Sequence, residues 1–311
     1  EIVNKIEDRG QRWDAENLLE RALTGMQMDV GSIHQVISVL EDDGRLLSRQ
    51  YAAQALGRSD DPRAIQALVD TVAREREREV RYAAIRALES IQDRQEIRPH
   101  IHGFDELMDA IEDPEVYVRL AASEALNNYD NEDAVMPIIR LYEEYRFSSC
   151  LYSLGRIGGE AATSYLIGLL KSPDEETRLE AAFSLADPDL GERVVEALVQ
   201  SITGKTQCFG NREMLKAVIG SLRTIAWYGI KDEEGMIQNT VEEKAERALV
   251  DLVENENPTI RYLALIGLGR NMVGKGALQE ELCIEALRKA TNDPDEDVRS
   301  VAEWYMSNHA F

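Results

Sequence analysis

An all-α, right-handed α-solenoid of about eight helical hairpins is the fold that the sequence predicts, and three observations predict it. A short pattern recurs along the chain: an aliphatic or small residue, then Arg, then Ala three residues later, then Leu four after that. Each copy follows another amphipathic segment. Between the two segments stand turn signals such as Asp113-Pro114, Ser172-Pro173, Asn257-Pro258 and Asp293-Pro294. Self-similarity at this period marks stacked two-helix units, none of which can bury its apolar face alone.

The clear copies are Ser48-Arg49 with Ala52 and Leu56, Val80-Arg81 with Ala84 and Leu88, and Val118-Arg119 with Ala122 and Leu126. Thr177-Arg178 with Ala181 and Leu185 follows, then Ile260-Arg261 with Ala264 and Leu268. Val298-Arg299 with Ala302 is the last, with Met306 in place of Leu. Two weaker copies fill the gaps, Phe147 to Leu154 with Cys150 at the Ala position and Leu215 to Leu222 with Val218 there. Both lack the arginine, although Arg146 sits one place early. The starts at 49, 81, 119, 147, 178, 215, 261 and 299 are 28 to 46 residues apart, which suits a helical hairpin.

Counted from the arginine, positions −1, +3 and +7 share one helical face and form a buried stripe. Alanine at its centre lets two helices approach closely. Segments such as Ala64 to Val69, Ala134 to Ile139 and Ala248 to Val253 are the partner helices. Asp, Ser or Asn caps a helix and Pro favours its first turn, so each second helix is expected to start at the proline. Residues 1–30 are expected to form an N-terminal capping region centred on Ala15 to Leu23. Residues 31–311 form the solenoid, continuous with the cap as one domain. Stretches 92–103, 203–211 and 229–240 lengthen three junctions as inserted loops.

The 58 acidic residues outnumber the 35 basic ones in this chain of 311, giving a net charge of −23. That balance argues against a general nucleic-acid binder, because phosphates repel without a basic patch. With 44% hydrophobic residues the chain folds, and no run of about 18 apolar residues suggests a membrane span. The start, Glu1 to Lys5, has no apolar signal core and reads as the beginning of a trimmed cytoplasmic chain. Cys150, Cys208 and Cys283 are too widely spaced for a disulfide framework or a paired redox motif. Cys150 occupies the small core position of its repeat, where burial outweighs reactivity.

Asp-Pro-x-x-x-Val-Arg-x-x-Ala-x-x-x-Leu, as in Asp113 to Leu126 and Asp293 to Met306, resembles the HEAT-like repeat first associated with phycobilisome lyases. The resemblance covers roughly Gly31 to His309. It implies a solenoid, in a family that holds chromophore lyases, hydroxylases, DNA glycosylases and plain scaffolds. The hydroxylases carry His-Glu pairs for di-iron, and no His here is followed by Glu. The glycosylases need a cationic groove, which an acidic chain does not supply. The family's arginines line up along the stack, with turn carbonyls and aspartates such as Asp113 and Asp293 as partners.

Other motifs fall short of chemistry. Gly204-Lys205-Thr206 lacks the preceding strand and first glycine of a phosphate loop, since that position is Val199. His100 and His102 are too few ligands for a metal. No catalytic residue, cofactor site or metal site is expected.

The most informative positions are +1 and +5, which point away from the buried stripe toward the expected concave face. They hold Tyr82 with Arg86, Leu120 with Glu124, Leu179 with Phe183, Tyr262 with Ile266, and Ser300 with Trp304, beginning with Gln50 and Gln54. An apolar strip edged by acids marks a protein-binding groove, unless neighbouring helices bury it. The expected function is a non-enzymatic scaffold or adaptor that binds a protein partner, favouring a basic one, through Tyr82, Arg86, Leu120, Leu179, Phe183, Tyr262, Ile266 and Trp304. From the resemblance alone, the alternative is a bilin lyase or chromophore-handling subunit, with Arg86 the one base placed for a propionate. A regulatory adaptor in signalling or taxis is a further alternative.

Overall fold

The computed structural model describes residues 30–42, 44–59, 61–94, 103–129, 131–203, 212–227, 240–275 and 280–308. These residues hold sixteen α-helices and no strand. In order they are α1 (Val30–Asp42), α2 (Leu46–Leu56), α3 (Pro62–Arg74), α4 (Arg78–Arg94), α5 (Phe104–Ala110), α6 (Val116–Leu126), α7 (Val135–Tyr145) and α8 (Ser148–Ile157). Then come α9 (Gly159–Leu169), α10 (Glu175–Ser184), α11 (Glu192–Thr203), α12 (Arg212–Trp227), α13 (Thr240–Leu252), α14 (Pro258–Lys275), α15 (Glu280–Ala290) and α16 (Glu296–Asn308). Consecutive helices pack as hairpins in α1/α2, α3/α4, α5/α6, α9/α10, α11/α12, α13/α14 and α15/α16, as an α-solenoid requires. The cap expected around Ala15 to Leu23, the His100/His102 pair, Gly204 to Thr206, Cys208 and most of the three inserted loops lie outside the described residues.

The chain divides into two compact units, Glu1–Ser153 and Leu154–Phe311. In the first, the second helices α2, α4 and α6 pack side by side, and the first helices α1, α3 and α5 form the other layer. In the second unit the second helices α10, α12, α14 and α16 stack in the same way, backed by α9, α11, α13 and α15.

The buried stripe follows the repeat. Ala52, Ala84, Ala122, Ala181, Ala264 and Ala302 are all fully buried, as are Cys150 and Val218 in the weaker copies. The leucines at +7 are buried with them, from Leu56 and Leu88 to Leu268, whereas Met306 is half-buried. Close approach is taken furthest at Gly155 on α8. A Cβ there would overlap the carbonyl oxygen of Ser184 at the end of α10. Only a hydrogen fits, so glycine is required by packing rather than by backbone angle.

The arginines form a clamp at the turns. Nη1 of Arg81 donates to the carbonyls of Glu75 (3.1 Å) and Arg76 (2.8 Å), six and five residues back in its own turn. Its Nε and Nη2 donate to Asp113 in the next turn, at 2.7 and 2.9 Å. Arg261 repeats this, with the carbonyls of Asn255 and Glu256 behind it and Asp293 ahead at 2.8 and 2.7 Å. Asp113 and Asp293 also accept the backbone N–H groups of Glu115 and Asp295. One carboxylate therefore shapes its own turn and ties it to the preceding hairpin. The Arg261 guanidinium holds the Asp293 carboxyl below its ordinary range.

The helix starts depart in part from the expectation. α14 begins at Pro258, but α6, α10 and α16 begin two residues after Pro114, Pro173 and Pro294. Asp113 and Asp293 spend their oxygens on a turn and on arginine. Asp174, beyond its proline, caps α10 by accepting from Thr177 N at 2.8 Å.

Elsewhere the clamp changes. Arg119 has no aspartate ahead of it and donates to the Tyr145 hydroxyl at 2.6 Å, its guanidinium 4.7 Å from that ring's centre. Arg146 does not stand in for the missing arginine of its repeat. It ends α7 in the left-handed region at φ 58°, with its N–H bonded to the Tyr142 carbonyl.

Candidate protein-binding face

The second helices present one outward face. At 100° per residue, positions −2, +1, +2 and +5 lie together opposite the −1/+3/+7 stripe. Every position anticipated from +1 and +5 can be placed on it. In the first unit Tyr82 on α4 is exposed, Arg86 is exposed one turn on, and Leu120 on α6 is half-buried. In the second unit Phe183 on α10 is 62% exposed and Trp304 on α16 is 54% exposed. Leu179, Tyr262 and Ile266 are half-buried. The strip is thus neither solvent-free core nor a continuous open groove. Its exposed apolar area is concentrated in single aromatic rings.

Sequence reasoning restricted to +1 and +5 of the arginine-bearing copies missed several exposed apolar side chains. Leu47 and Tyr51 on α2, Tyr117 on α6 and Tyr152 on α8 are all exposed, Tyr117 by 71%. Leu47 and Tyr117 stand at −2 and Tyr51 at +2, within the same 100° arc, so a wider angular window over the same register identifies them. It also missed α12, whose +1 and +5 positions are Lys216 and Gly220. A Cβ added at Gly220 meets nothing within 4 Å. This leaves a low point in the second unit's face, on the helix between α10 (Phe183) and α14 (Ile266).

Charges on the face are internally engaged. Arg86 is held by Glu89 at 2.7 Å and by Glu124 of α6 at 2.6 Å. Arg78, at the start of α4, is held by Glu79 at 2.9 Å and by Glu115 at 3.1 Å. The Arg78 guanidinium keeps the Glu79 carboxyl below its usual range. Lys216 pairs with Glu213 at 2.7 Å.

No group of three His, Cys, Asp or Glu side chains among the described residues could hold a metal ion. Cys150 is buried, and desolvation pushes its thiol up to about 11, so it stays protonated and inert. An open polar recess of about 750 Å³ lies among Thr203, Asp251, Glu254, Asn255, Glu256 and Asn257. Its Glu254 is bonded to Lys289. No described helix is long and apolar enough to cross a membrane.

The family model for HEAT repeats matches residues 21–99 and 104–186, a little over half of the chain. The chain belongs to the HEAT-repeat family. No curated protein matches it with significance. Among solved structures, the complex of CpcE and CpcF of phycocyanin lyase from Nostoc sp. is 20% identical, with a TM-score of 0.46 over 84% of this chain and 93% of that one. Human deoxyhypusine hydroxylase with glycerol is 17% identical, with a TM-score of 0.35 over 89% of this chain and 95% of that one. A homology model of the full-length AP-3 complex in an intermediate open conformation gives a TM-score of 0.55 at 12% identity, over 97% of this chain and 55% of that one. At these identities the likeness is one of fold. The HEAT hairpins account for the buried stripe and the arginine clamp, and they leave the outward face unexplained.

Proposed function

We propose that this HEAT-repeat protein is a non-enzymatic scaffold that binds a protein partner along the outward face of its second helices. The observation that carries the reading is the exposure of Phe183 and Trp304. Both occupy position +5 of their repeats, and both present large apolar rings on a face otherwise rich in paired charge. Single exposed apolar residues are ordinary on protein surfaces. Rings that recur at one register position, rimmed by acids such as Glu176, Glu180 and Asp297, are the composition of a binding patch. A net charge of −23 favours a basic partner and disfavours acidic ones. The bilin reading draws no support from this face, because Arg86 and Lys216 are each engaged by glutamate.

Site-specific crosslinking tests the scaffold. A photoreactive phenylalanine replaces Phe183 in one variant and Glu196, exposed on the first-helix side at α11, in another. The expected result is one protein adduct from position 183 and none from position 196, with the adduct weakened by Trp304→Asp. Adducts from both positions, or from neither, would remove the reading.

A further inference from the structure

The first unit carries a subsite that the scaffold reading does not specify. Three successive, mutually packed second helices each present one exposed tyrosine: Tyr51 on α2 (45%), Tyr82 on α4 (43%) and Tyr117 on α6 (71%). All three lie between two residues before and two residues after the clamp arginine of their repeat, so they form a row that runs across the helices. Tyr82 is the middle ring of the row, and half-buried Leu120 shares α6 with Tyr117. On either side of Tyr82 stands an ion-pair cluster bridging α4 to α6. In one, Arg78 is shared by Glu79 and Glu115, and in the other Arg86 is shared by Glu89 and Glu124. Each cluster sets two carboxylates against one guanidinium. The tyrosine row is therefore bordered on both sides by a surplus negative charge.

The spacing of the row selects a backbone. Packed helices stand about 8–10 Å apart, so the row offers one ring in roughly that distance. A polyproline II segment advances about 9 Å per three-residue turn. An extended strand returns to the same face after about 6.6 Å and an α-helix after about 5.4 Å, and neither matches one ring per helix. The rings suit proline faces and the planes of cationic groups, and the glutamates suit the cations themselves. We propose that Tyr51, Tyr82 and Tyr117 dock a proline-rich, arginine- or lysine-bearing segment of a partner protein in the polyproline II conformation. This rests on the scaffold reading and adds the partner's chemistry to it. Because it concerns the first unit alone, its failure leaves the crosslinking result at Phe183 standing.

The test uses the full chain and three labelled eighteen-residue peptides, followed by fluorescence anisotropy. One repeats Pro-Pro-Arg, one repeats Gly-Ser-Arg with the same charge and no stiffness, and one repeats Pro-Pro-Glu. The Pro-Pro-Arg peptide is expected to bind about tenfold or more tightly than Gly-Ser-Arg, and Pro-Pro-Glu not at all. Tyr82→Ser with Tyr117→Ser is expected to weaken Pro-Pro-Arg about tenfold, with helicity and melting checked in the same sample. Glu115→Gln with Glu124→Gln provides a second variant that spares the rings, and it is expected to weaken binding and flatten its salt dependence. No binding of Pro-Pro-Arg overturns the proposal. So does equal binding of Gly-Ser-Arg, which would show charge attraction alone, and so does unchanged affinity in the folded tyrosine variant.

Discussion

The two sides of each second helix obey different rules. On the buried side, Ala52, Ala84, Ala122, Ala181, Ala264 and Ala302 repeat one residue at one position, and every one is fully enclosed. On the outward side, the equivalent +5 positions hold Gln54, Arg86, Glu124, Tyr152, Phe183, Gly220, Ile266 and Trp304, with no two alike. Packing between identical hairpins imposes the same steric condition on every repeat, so the buried side converges. The outward side answers to no such condition within the chain. Its diversity is what the proposed aperiodic partner would require.

The largest effect is expected where a charge is buried against that regular side. Asp113→Ala strands the Arg81 guanidinium, whose side chain is 11% exposed, without its bidentate acceptor. A loss of about 3 kcal/mol is expected in chemical unfolding, the range for breaking a buried pair from one side. Arg178→Ala is the contrasting change. Arg178 holds only the carbonyls of Ser172 and Pro173, and its Nε has no hydrogen-bond partner. Its removal is expected to cost clearly less. Equal losses would show that the carbonyl bonds of the clamp are worth as much as its carboxylate.

Next come the steric tests. Ala84→Leu and Ala122→Leu overpack the stripe, and Gly155→Ala drives a methyl group into the Ser184 carbonyl. Each is expected to cost roughly 1–3 kcal/mol, read as a lower unfolding midpoint at unchanged denaturant sensitivity. The same Ala replacement at Gly220, where a Cβ meets nothing, should be neutral or slightly stabilising, because it lies within helix α12. A cost at Gly220 matching that at Gly155 would erase the distinction between the two sides.

These tests also show what could be read from sequence. The alanine stripe and its register were legible because a spacing of three and four residues admits one burial pattern on a helix. The Asp113 and Asp293 partners of the clamp were legible through the resemblance to HEAT-like repeats, whose arginines bond turn carbonyls and carboxylates along the stack. Tyr145 as the acceptor for Arg119 was not, since nothing local marks a phenol as a substitute for a carboxylate. The half-burial of Leu179, Tyr262 and Ile266 was not legible either. It depends on tertiary packing, which a single helix's periodicity does not contain.

A smaller effect is expected in acid. Asp61 caps α3 by accepting from Arg63 N at 2.9 Å, and it is bonded to the Arg63 guanidinium as well. These bonds hold its carboxyl at about 2, down from 3.8. A depressed carboxyl contributes stability above its unfolded value, and that contribution fades as pH falls from about 4 to about 2. Asp61→Asn keeps a capping oxygen but removes the titration. The variant is expected to take up about one proton fewer on acid unfolding in that window. An unchanged acid limb would mean that the exposed pair with Arg63 is not formed in solution.

The smallest effect on stability belongs to the outward rings, and here a near-zero result is the informative one. Phe183→Ser and Trp304→Ser each remove a ring that is more than half exposed. Stability is expected to move by no more than about 0.5 kcal/mol for Phe183, the range for surface substitutions. Trp304 sits edge-on to Tyr305, with ring centres 4.9 Å apart, so a loss of about 0.5–1.5 kcal/mol is expected there. If Phe183→Ser instead costs as much as Ala84→Leu, the ring is core and the outward face is smaller than its exposure indicates. If it costs nothing, the ring's position in an exposed, acid-edged register has no structural explanation within the chain. A partner then becomes the remaining physical reason for a phenylalanine there.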